Sequence, residues 1–135
     1  GTLELARLSL KHLHEFLLSR PITPTFAEAD ALLFGRIPPG DRRQAFERLV
    51  PESGRMTFDI AVKGVPVDAR RVRSPMLVVA GREDRITPAK MVRKIALKYG
   101  AEFRAYDAHA HMVLMEPGWD TIAGEIANWL EKEIR

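Results

Sequence analysis

The spacing of hydrophobic residues differs between the two halves of the chain. In the first half, apolar residues recur at three- and four-residue steps, as they do along one side of an amphipathic helix: Leu3, Ala6, Leu10, Leu13 and Leu17. Leu5, Leu8 and Phe16 widen this stripe. We therefore expect the first helix to contact partners on two sides and to end at Arg20-Pro21, because proline disfavours the helical conformation of the residue before it.

Three further helices are predicted before residue 65. Thr25-x-x-Glu28 is a capping box that begins a short helix ending near Gly35. Asp41 is the expected N-cap of a helix that stops before Pro51, and a fourth helix is expected from about Ser53 to Val62. No strand pattern is present in this half, so residues 1–73 are predicted to form a helical segment.

The second half contains strand patterns. The apolar run Met76–Ala80 is too short for a helix and is typical of a strand buried on both faces of a parallel sheet. Thr87 is the expected cap of a helix that has Pro88 at its first position and ends at Gly100. Glu102–Tyr106 is predicted to be a second strand. A last helix follows with an apolar stripe of Trp119, Ile122, Ala123, Ile126, Trp129 and Leu130. Residues 74–135 thus read as a strand–helix–strand–helix unit. The predicted fold class is α/β, mostly helical, with about two parallel strands.

Composition narrows the class of protein. The chain has 135 residues, 46% of them hydrophobic and 29% charged, which is ordinary for a globular protein that can bury a core. The net charge of +3 is mild, and its arginine clusters are short, so we expect no nucleic-acid partner. The absence of cysteine excludes disulfides, thiol nucleophiles and cysteine-bound zinc. Glu4 and Arg7 interrupt the first apolar stripe, which argues against a signal peptide or membrane anchor and favours a cytoplasmic protein.

The candidate chemistry lies where the predicted strands end. Asp84 comes three residues after Gly81, and His111 follows 27 residues later, beyond the second strand. Parallel α/β sheets place catalytic residues at the carboxyl ends of their strands. An acid and a histidine delivered there are two members of a nucleophile–histidine–acid triad. The alternative for Asp84 is a turn aspartate bonded to its own backbone, and position alone leaves both open.

Two histidines compete for the same role. His109 stands two residues before His111, and together they offer a metal-binding spacing, but acidic or cysteine ligands are lacking nearby. The apolar residues Met112, Val113, Leu114 and Met115 are expected to pack the last helix. Glu116 is expected to lie at the start of that helix, where a negative charge suits the helix dipole.

The motif around these residues resembles the C-terminal part of the α/β-hydrolase family. Its parts are Gly81-x-x-Asp84-x-x-x-Pro88, then His111 followed by four apolar residues and Glu116-Pro117 before the last helix. The register matches His111 rather than His109, although Ala110 replaces the glycine that is frequent in the family. The resemblance implies that Asp84 is the catalytic acid and His111 the catalytic base of an esterase-like enzyme. It also implies a small-molecule ester or related carbonyl substrate and no cofactor.

The same resemblance assigns the two halves of the chain. Residues 1–73 would be the helical cap over the active site, and residues 74–135 the C-terminal part of the hydrolase core. Candidate pocket walls in the cap are Phe16, Phe26, Leu33, Phe34, Phe46, Met56 and Phe58, although each is more often an ordinary core residue.

The nucleophile of such a triad is missing from the sequence. Gly-x-Ser-x-Gly does not occur, and Ser9, Ser19, Ser53 and Ser74 lack the glycine pair of a strained strand-to-helix turn. We therefore expect the chain to be inactive alone. It would be a cleaved or truncated fragment, one half of a two-piece enzyme, or an oligomer that covers the edge of Met76–Ala80, and its start at Gly1 suits cleavage. The expected partner is the missing N-terminal half or a second copy in a homodimer. The alternative is a non-catalytic helical module that binds another protein.

Overall fold

A computed structural model describes residues 10–134 of the chain. The predicted beginning of the first helix, with Leu3 and Ala6, lies outside the described residues. Helix α1 spans Leu13–Leu17. Its apolar residues Leu13 and Leu17 are exposed, so the described part of the chain does not supply the contacts that the wide stripe predicts.

The predicted helices of the first half are present, with one difference in how they begin. Helices α2 (Phe26–Leu32), α3 (Arg42–Glu47) and α4 (Gly54–Phe58) follow α1, and α4 continues into a π-helical turn over Asp59–Lys63. The capping box at α2 is confirmed, because Thr25 and Glu28 exchange side-chain-to-backbone hydrogen bonds. Asp41 is at the N-cap position of α3, as expected, but its backbone is itself helical and its side chain makes no capping bond.

Two very short strands were not anticipated in this half. Strands β1 (Pro21–Ile22) and β2 (Glu52–Ser53) pair antiparallel. The expectation of no strand before residue 65 is therefore wrong at these four residues. A two-residue strand is too short to show an alternating pattern of apolar and polar residues, so it could not be predicted from the sequence.

The helical region, residues 10–71, has its core around Phe34. Phe34 is 0% exposed and clusters with Ala29, Ile37 and Ala45. Phe26 and Phe46 meet edge to face, with ring centroids 5.4 Å apart. Met112 from the second half packs against this cluster, so the core connects the helical region with the loop that carries His111.

The strand-bearing region, residues 77–134, has the predicted order of elements. Strand β3 (Leu77–Gly81), helix α5 (Ala89–Tyr99), strand β4 (Glu102–Tyr106) and helix α6 (Trp119–Ile134) follow in sequence. β3 and β4 are parallel, from Leu77 opposite Glu102 to Gly81 opposite Tyr106. α5 ends at Gly100, which has the left-handed conformation. The mixed α/β class with two parallel strands is confirmed.

Strand β3 is less buried than predicted. Within the described residues it pairs only with β4, which leaves one edge without a neighbouring strand. Leu77, Val78 and Val79 are half-buried, and only Ala80 and Gly81 are buried. A strand buried on both faces needs sheet and helices on all sides, which residues 10–134 do not supply. Every helix in this part of the chain is too short or too polar to cross a bilayer.

Candidate functional site

The loop that follows β3 is hydrogen-bonded to the end of β4 and to the loop after it. The N–H of Arg82 donates to Tyr106 O at 3.0 Å, and the N–H of Glu83 donates to His109 O at 2.9 Å. A Cβ on Gly81 would overlap the carbonyl oxygen of Ala110 and lie 2.5 Å from that of His109. Only glycine allows the two backbones to approach this closely, so the loops after β3 and β4 lie against each other.

The loop that follows β4 turns sharply before the two histidines. Ala108 has a φ of 57°, in the left-handed region that residues with a side chain rarely adopt. This turn leads into His109, Ala110 and His111, which lie beside the loop after β3. The carboxyl ends of the two parallel strands thus bring their polar residues together.

Asp84 and His111 meet between these loops. His111 Nδ1 lies 3.0 Å from Asp84 Oδ2, which is hydrogen-bond distance. The predicted pairing of Asp84 with His111 rather than with His109 is therefore present. The two residues are contributed by different strand ends, as the motif requires.

Asp84 is held by four donors. Oδ1 accepts the backbone N–H groups of Ile86 at 2.7 Å and Thr87 at 2.9 Å, and Oδ2 accepts the Thr87 hydroxyl at 2.6 Å in addition to His111. Burial acts to raise the pKa of Asp84, but these hydrogen bonds outweigh it and lower the pKa below its ordinary value. The same carboxylate thus makes the loop bonds of a turn aspartate and also pairs with the histidine.

Thr87 has a different role from the predicted one. It was expected to cap α5, yet α5 has no side-chain capping bond, and the hydroxyl of Thr87 donates to Asp84 instead. The helix begins one residue later than predicted, with Pro88 at the N-cap position, so Thr87 lies outside the cap and its hydroxyl donates to the Asp84 carboxylate, a strong acceptor. Thr87 therefore helps to fix the Asp84 carboxylate.

The ionised state of Asp84 determines the tautomer of His111. An ionised carboxylate can only accept hydrogen bonds, so Nδ1 of His111 carries the proton. Nε2 then has a free lone pair. The side chain of Asp84 is 5% exposed and that of His111 is 29% exposed, so the acid is shielded while the imidazole stays accessible. This arrangement can accept a proton at Nε2 and stabilise the resulting imidazolium.

His109 is hydrogen-bonded within its own loop and not to Asp84. It is buried, and its Nδ1–H donates to Asp107 O at 2.9 Å. Its Nε2 has no hydrogen-bond partner and faces Gly118. The two histidines thus have separate partners, and within residues 10–134 no group of three or more His, Asp or Glu side chains could hold a metal ion.

An apolar pocket of about 370 Å³ opens beside the pair. Asp84, Thr87 and His111 border it, together with the apolar residues Val79, Ala80, Val92, Met112, Val113, Leu114 and Met115. Residues 112–115, which were expected to pack the last helix, all border this pocket, and Leu114 and Met115 are exposed. Met112 also packs against the core of the helical region.

None of the seven predicted cap residues borders this pocket. Phe34 is part of the helical core, Phe26 and Phe46 pack against each other, and Met56 is exposed. Phe26, Phe34 and Phe46 pack within the helical region rather than at the strand ends. A larger pocket of about 590 Å³ between α5 and β4 is bordered by three cationic residues and contains no acid–histidine pair.

The side chain of Glu116 is placed differently from the sequence-based prediction. It was expected to interact with the dipole of the last helix, but its carboxylate is fully buried and binds backbone N–H groups of the histidine loop. A charged residue directly after the apolar run Met112–Met115 was the available signal, since a buried acid needs specific partners. Arg36 and Glu83 form a further unanticipated link, an ion pair between the helical region and the loop of Asp84.

No serine among residues 10–134 borders the site. Ser19, Ser53 and Ser74 are absent from the residues that line the pocket, and Ser9 lies outside the described residues. Comparison with protein-family models, with curated proteins and with solved structures found no match for this chain.

Proposed function

We propose that this chain supplies the acid and the histidine of a serine-type α/β hydrolase that cleaves a small-molecule ester or related carbonyl compound. The observation that carries the proposal is the hydrogen bond between His111 Nδ1 and the buried carboxylate of Asp84, 3.0 Å long, at the ends of two parallel strands.

In this proposal His111 is the general base. Nε2 takes the proton of a serine hydroxyl as its oxygen attacks the carbonyl carbon, and the imidazolium then gives that proton to the leaving alcohol. Water repeats the sequence and releases the acid. Asp84 remains ionised throughout and stabilises the imidazolium, which fits a carboxylate whose pKa is lowered by four hydrogen bonds against the opposing effect of burial.

The pocket beside His111 indicates the substrate class. Its walls are almost entirely aliphatic or thioether side chains, and its polar members are the residues of the acid–histidine pair and Thr87. Such a surface favours an apolar acyl or alcohol group over a charged one. We therefore expect esters with short apolar groups to be better substrates than charged esters.

The serine and the oxyanion-binding N–H groups must come from outside these 135 residues. β3 leads into the loop of Asp84 and has no second neighbouring strand among the described residues, whereas parallel strands in α/β sheets normally have neighbours on both sides. We therefore infer that a strand carrying the nucleophile, contributed by a missing N-terminal half, pairs with this edge. A second copy of the chain could cover the edge, but it has no nucleophile segment to contribute.

A fluorophosphonate probe, which labels only activated serines, tests the proposal. The 135-residue chain alone should not be labelled and should not hydrolyse p-nitrophenyl esters above background. A product of the same reading frame extended to include a Gly-x-Ser-x-Gly segment should be labelled. Labelling should be lost in the variants His111→Ala and Asp84→Asn and retained in His109→Ala, which is the matched control.

Two results would contradict the proposed hydrolase function. One is a reading frame without any such segment, and the other is labelling that survives in His111→Ala. Turnover by the 135-residue chain that disappears in a Ser→Ala variant would also be incompatible with the missing nucleophile.

A second candidate function is a non-catalytic module that binds another protein. The observation in its favour is the number of large apolar residues exposed in the helical region: Leu10, Leu13, Leu17, Leu18, Val50, Met56, Ile60, Val62, Val65 and Val67. Exposed apolar surface of this kind marks interaction sites. Light scattering at micromolar concentration tests for self-association. A homodimer is expected, and a monomer would show that the apolar surface and the strand edge are not joined to a second copy.

A further inference from the structure

Glu116 is a buried acid that the proposed chemistry does not use. Glu116 is 0% exposed, and its carboxylate accepts hydrogen bonds from backbone N–H groups. The backbone carbonyl of Glu116 accepts the Trp119 N–H at 3.1 Å and so contributes to the start of α6, but the side chain is directed to other partners. Burying a carboxylate is unfavourable unless it is hydrogen-bonded, so its side chain must have partners of its own.

Those partners lie on either side of His111. Oε2 of Glu116 accepts the Ala110 N–H at 2.6 Å, and Oε1 accepts the Met112 N–H at 3.3 Å. The carboxylate therefore spans the backbone of the residue that approaches Asp84. The shorter of the two bonds is a charge-assisted hydrogen bond, which is stronger than one between neutral groups.

We propose that Glu116 is a positioning residue for His111. Its two hydrogen bonds fix the peptide groups before and after His111, and this holds the imidazole with Nδ1 directed at Asp84. Naming His111 as the base rests on the proposed function, whereas the effect of Glu116 on the Asp84–His111 bond does not.

The positive charge of Arg36 in the helical region interacts with Glu116. The Arg36 guanidinium binds Glu83, and the pKa of Arg36 is raised by that hydrogen bond and by the charge of Glu83 against the opposing effect of burial, with a smaller increase from the charge of Glu116. His109, the other histidine of the loop, donates its Nδ1–H to Asp107 O. A positive charge from the helical region thus accompanies the buried acid.

The test is a nitrogen-15 NMR measurement on His111 in the full 135-residue chain. In the unaltered chain we expect the Nδ1–H tautomer and an Nδ1 proton protected from exchange with water. In Glu116→Ala this protection should fall about tenfold, the equivalent of losing one charge-assisted hydrogen bond. In Glu116→Gln, which keeps the shape and one acceptor oxygen, the loss should be smaller, about threefold.

Glu125→Gln is the matched control. Glu125 also lies near the strand ends and accepts from the Tyr106 hydroxyl at 2.8 Å, but it does not touch the histidine loop. This variant should keep the His111 signal of the unaltered chain. It corrects for any general effect of removing one carboxylate from the strand-bearing region.

The outcomes separate the two proposals. An unaltered chain without the Nδ1–H tautomer at His111 would overturn the acid–histidine pair and with it the proposed function. A protected Nδ1 proton that persists in a folded Glu116→Gln and Glu116→Ala would overturn the positioning role alone. Should Glu116→Ala not fold, Glu116→Gln decides, because unchanged protection in that variant is sufficient to reject the role.

Discussion

The helical region and the strand-bearing region differ in how many polar side chains they bury. The buried centre of the helical region is the apolar cluster around Phe34, and His12 is its one buried polar residue among those described. In the strand-bearing region the loops at the strand ends bury three, Asp84, His109 and Glu116. Apolar burial is sufficient to hold helices together, but buried acids and histidines are unfavourable without specific partners. Their concentration in one pair of loops is therefore the stronger indication of a functional site.

The two regions also differ in how their contacts are made. Helix α2 is begun by a capping box within four consecutive residues of the chain. The site depends on contacts between residues far apart in sequence, such as Asp84 with His111 and Arg36 with Glu83. A capping box can form from neighbouring residues alone, whereas the contacts of the site form only when the two loops lie against each other in the folded chain.

The largest expected effect is on the apolar core. Phe34→Ala removes a side chain that is 0% exposed and should lower the free energy of unfolding by about 3–5 kcal/mol. Val50→Ala, at an exposed position of the same region, should change it by less than about 0.5 kcal/mol. Urea titration followed by circular dichroism provides the measurement.

The same experiment tests whether the two regions unfold together. Both tryptophans, Trp119 and Trp129, belong to α6, so their fluorescence reports on the strand-bearing region. We expect Phe34→Ala to shift the fluorescence and circular dichroism transitions equally, because Met112 joins the histidine loop to the helical core. A fluorescence transition left unchanged would show that the regions unfold independently.

The next effect concerns the close approach of the two loops. A side chain at Gly81 would overlap the Ala110 carbonyl, so Gly81→Ala should destabilise the chain by about 1–3 kcal/mol and displace His111 from Asp84. Loss of the protected Nδ1 proton of His111 would report the displacement by NMR.

Two further glycines make this result specific. Gly54→Ala, which would overlap the Arg20 carbonyl in the helical region, should also destabilise the chain but leave His111 paired. Gly40→Ala has open space around it and should be nearly neutral. A His111 signal that responds equally to all three substitutions is the result that would contradict the prediction.

A smaller effect is expected from the two threonines that precede helices. Thr25→Ala removes the cap of α2 and should lower the free energy of unfolding by about 1 kcal/mol. Thr23→Ala is the control, because Thr23 is not the N-cap residue of this helix. Thr87→Ala should leave the α5 helix intact but weaken the hold on Asp84, because its hydroxyl bonds that carboxylate at 2.6 Å. Amide exchange in α2 and α5 separates these outcomes.

The smallest effect is a difference in acid sensitivity between the regions. Burial acts to raise the pKa of Glu28 in the helical region, but hydrogen bonds from Lys11 and Thr25 lower it from 4.5 to about 2. The pKa of Asp84 is lowered from its ordinary 3.8 against the same opposing effect of burial. A lowered pKa in the folded chain gives stability that is present above the unfolded value and is lost as pH falls through the folded value.

Glu28→Gln and Asp84→Asn should therefore be less stable than the unaltered chain at pH 7, and the difference should shrink as the pH falls. For Glu28 the decrease should run from about pH 4.5 down to about pH 2. For Asp84 it should begin below about pH 3.8. Asp107→Asn, whose side chain is 89% exposed, is the control and should show little difference at any pH. A difference that grows in acid would contradict the assigned direction of these shifts.

The sequence by itself determined the periodic elements and the identity of the paired residues. The apolar run before Gly81, the left-handed stop at Gly100 and the capping box at Thr25 are local features, each set by residues within a few positions of one another. The strand-end positions, together with the resemblance that matches His111 rather than His109 to Glu116-Pro117, also predicted the contact of Asp84 with His111. These elements follow from backbone preference and periodicity, which a linear pattern records.

Only the tertiary structure decided the partners of the polar side chains. Thr87 could bond the start of α5 or Asp84, and Glu116 could face the helix or the histidine loop. Both choices depend on which acceptor or donor is buried nearby after the chain has folded. The same holds for Met112–Met115, whose apolar character suits a core and a pocket equally. Burial and hydrogen bonding are properties of the three-dimensional environment, so residues with several acceptable partners are assigned only when the loops meet.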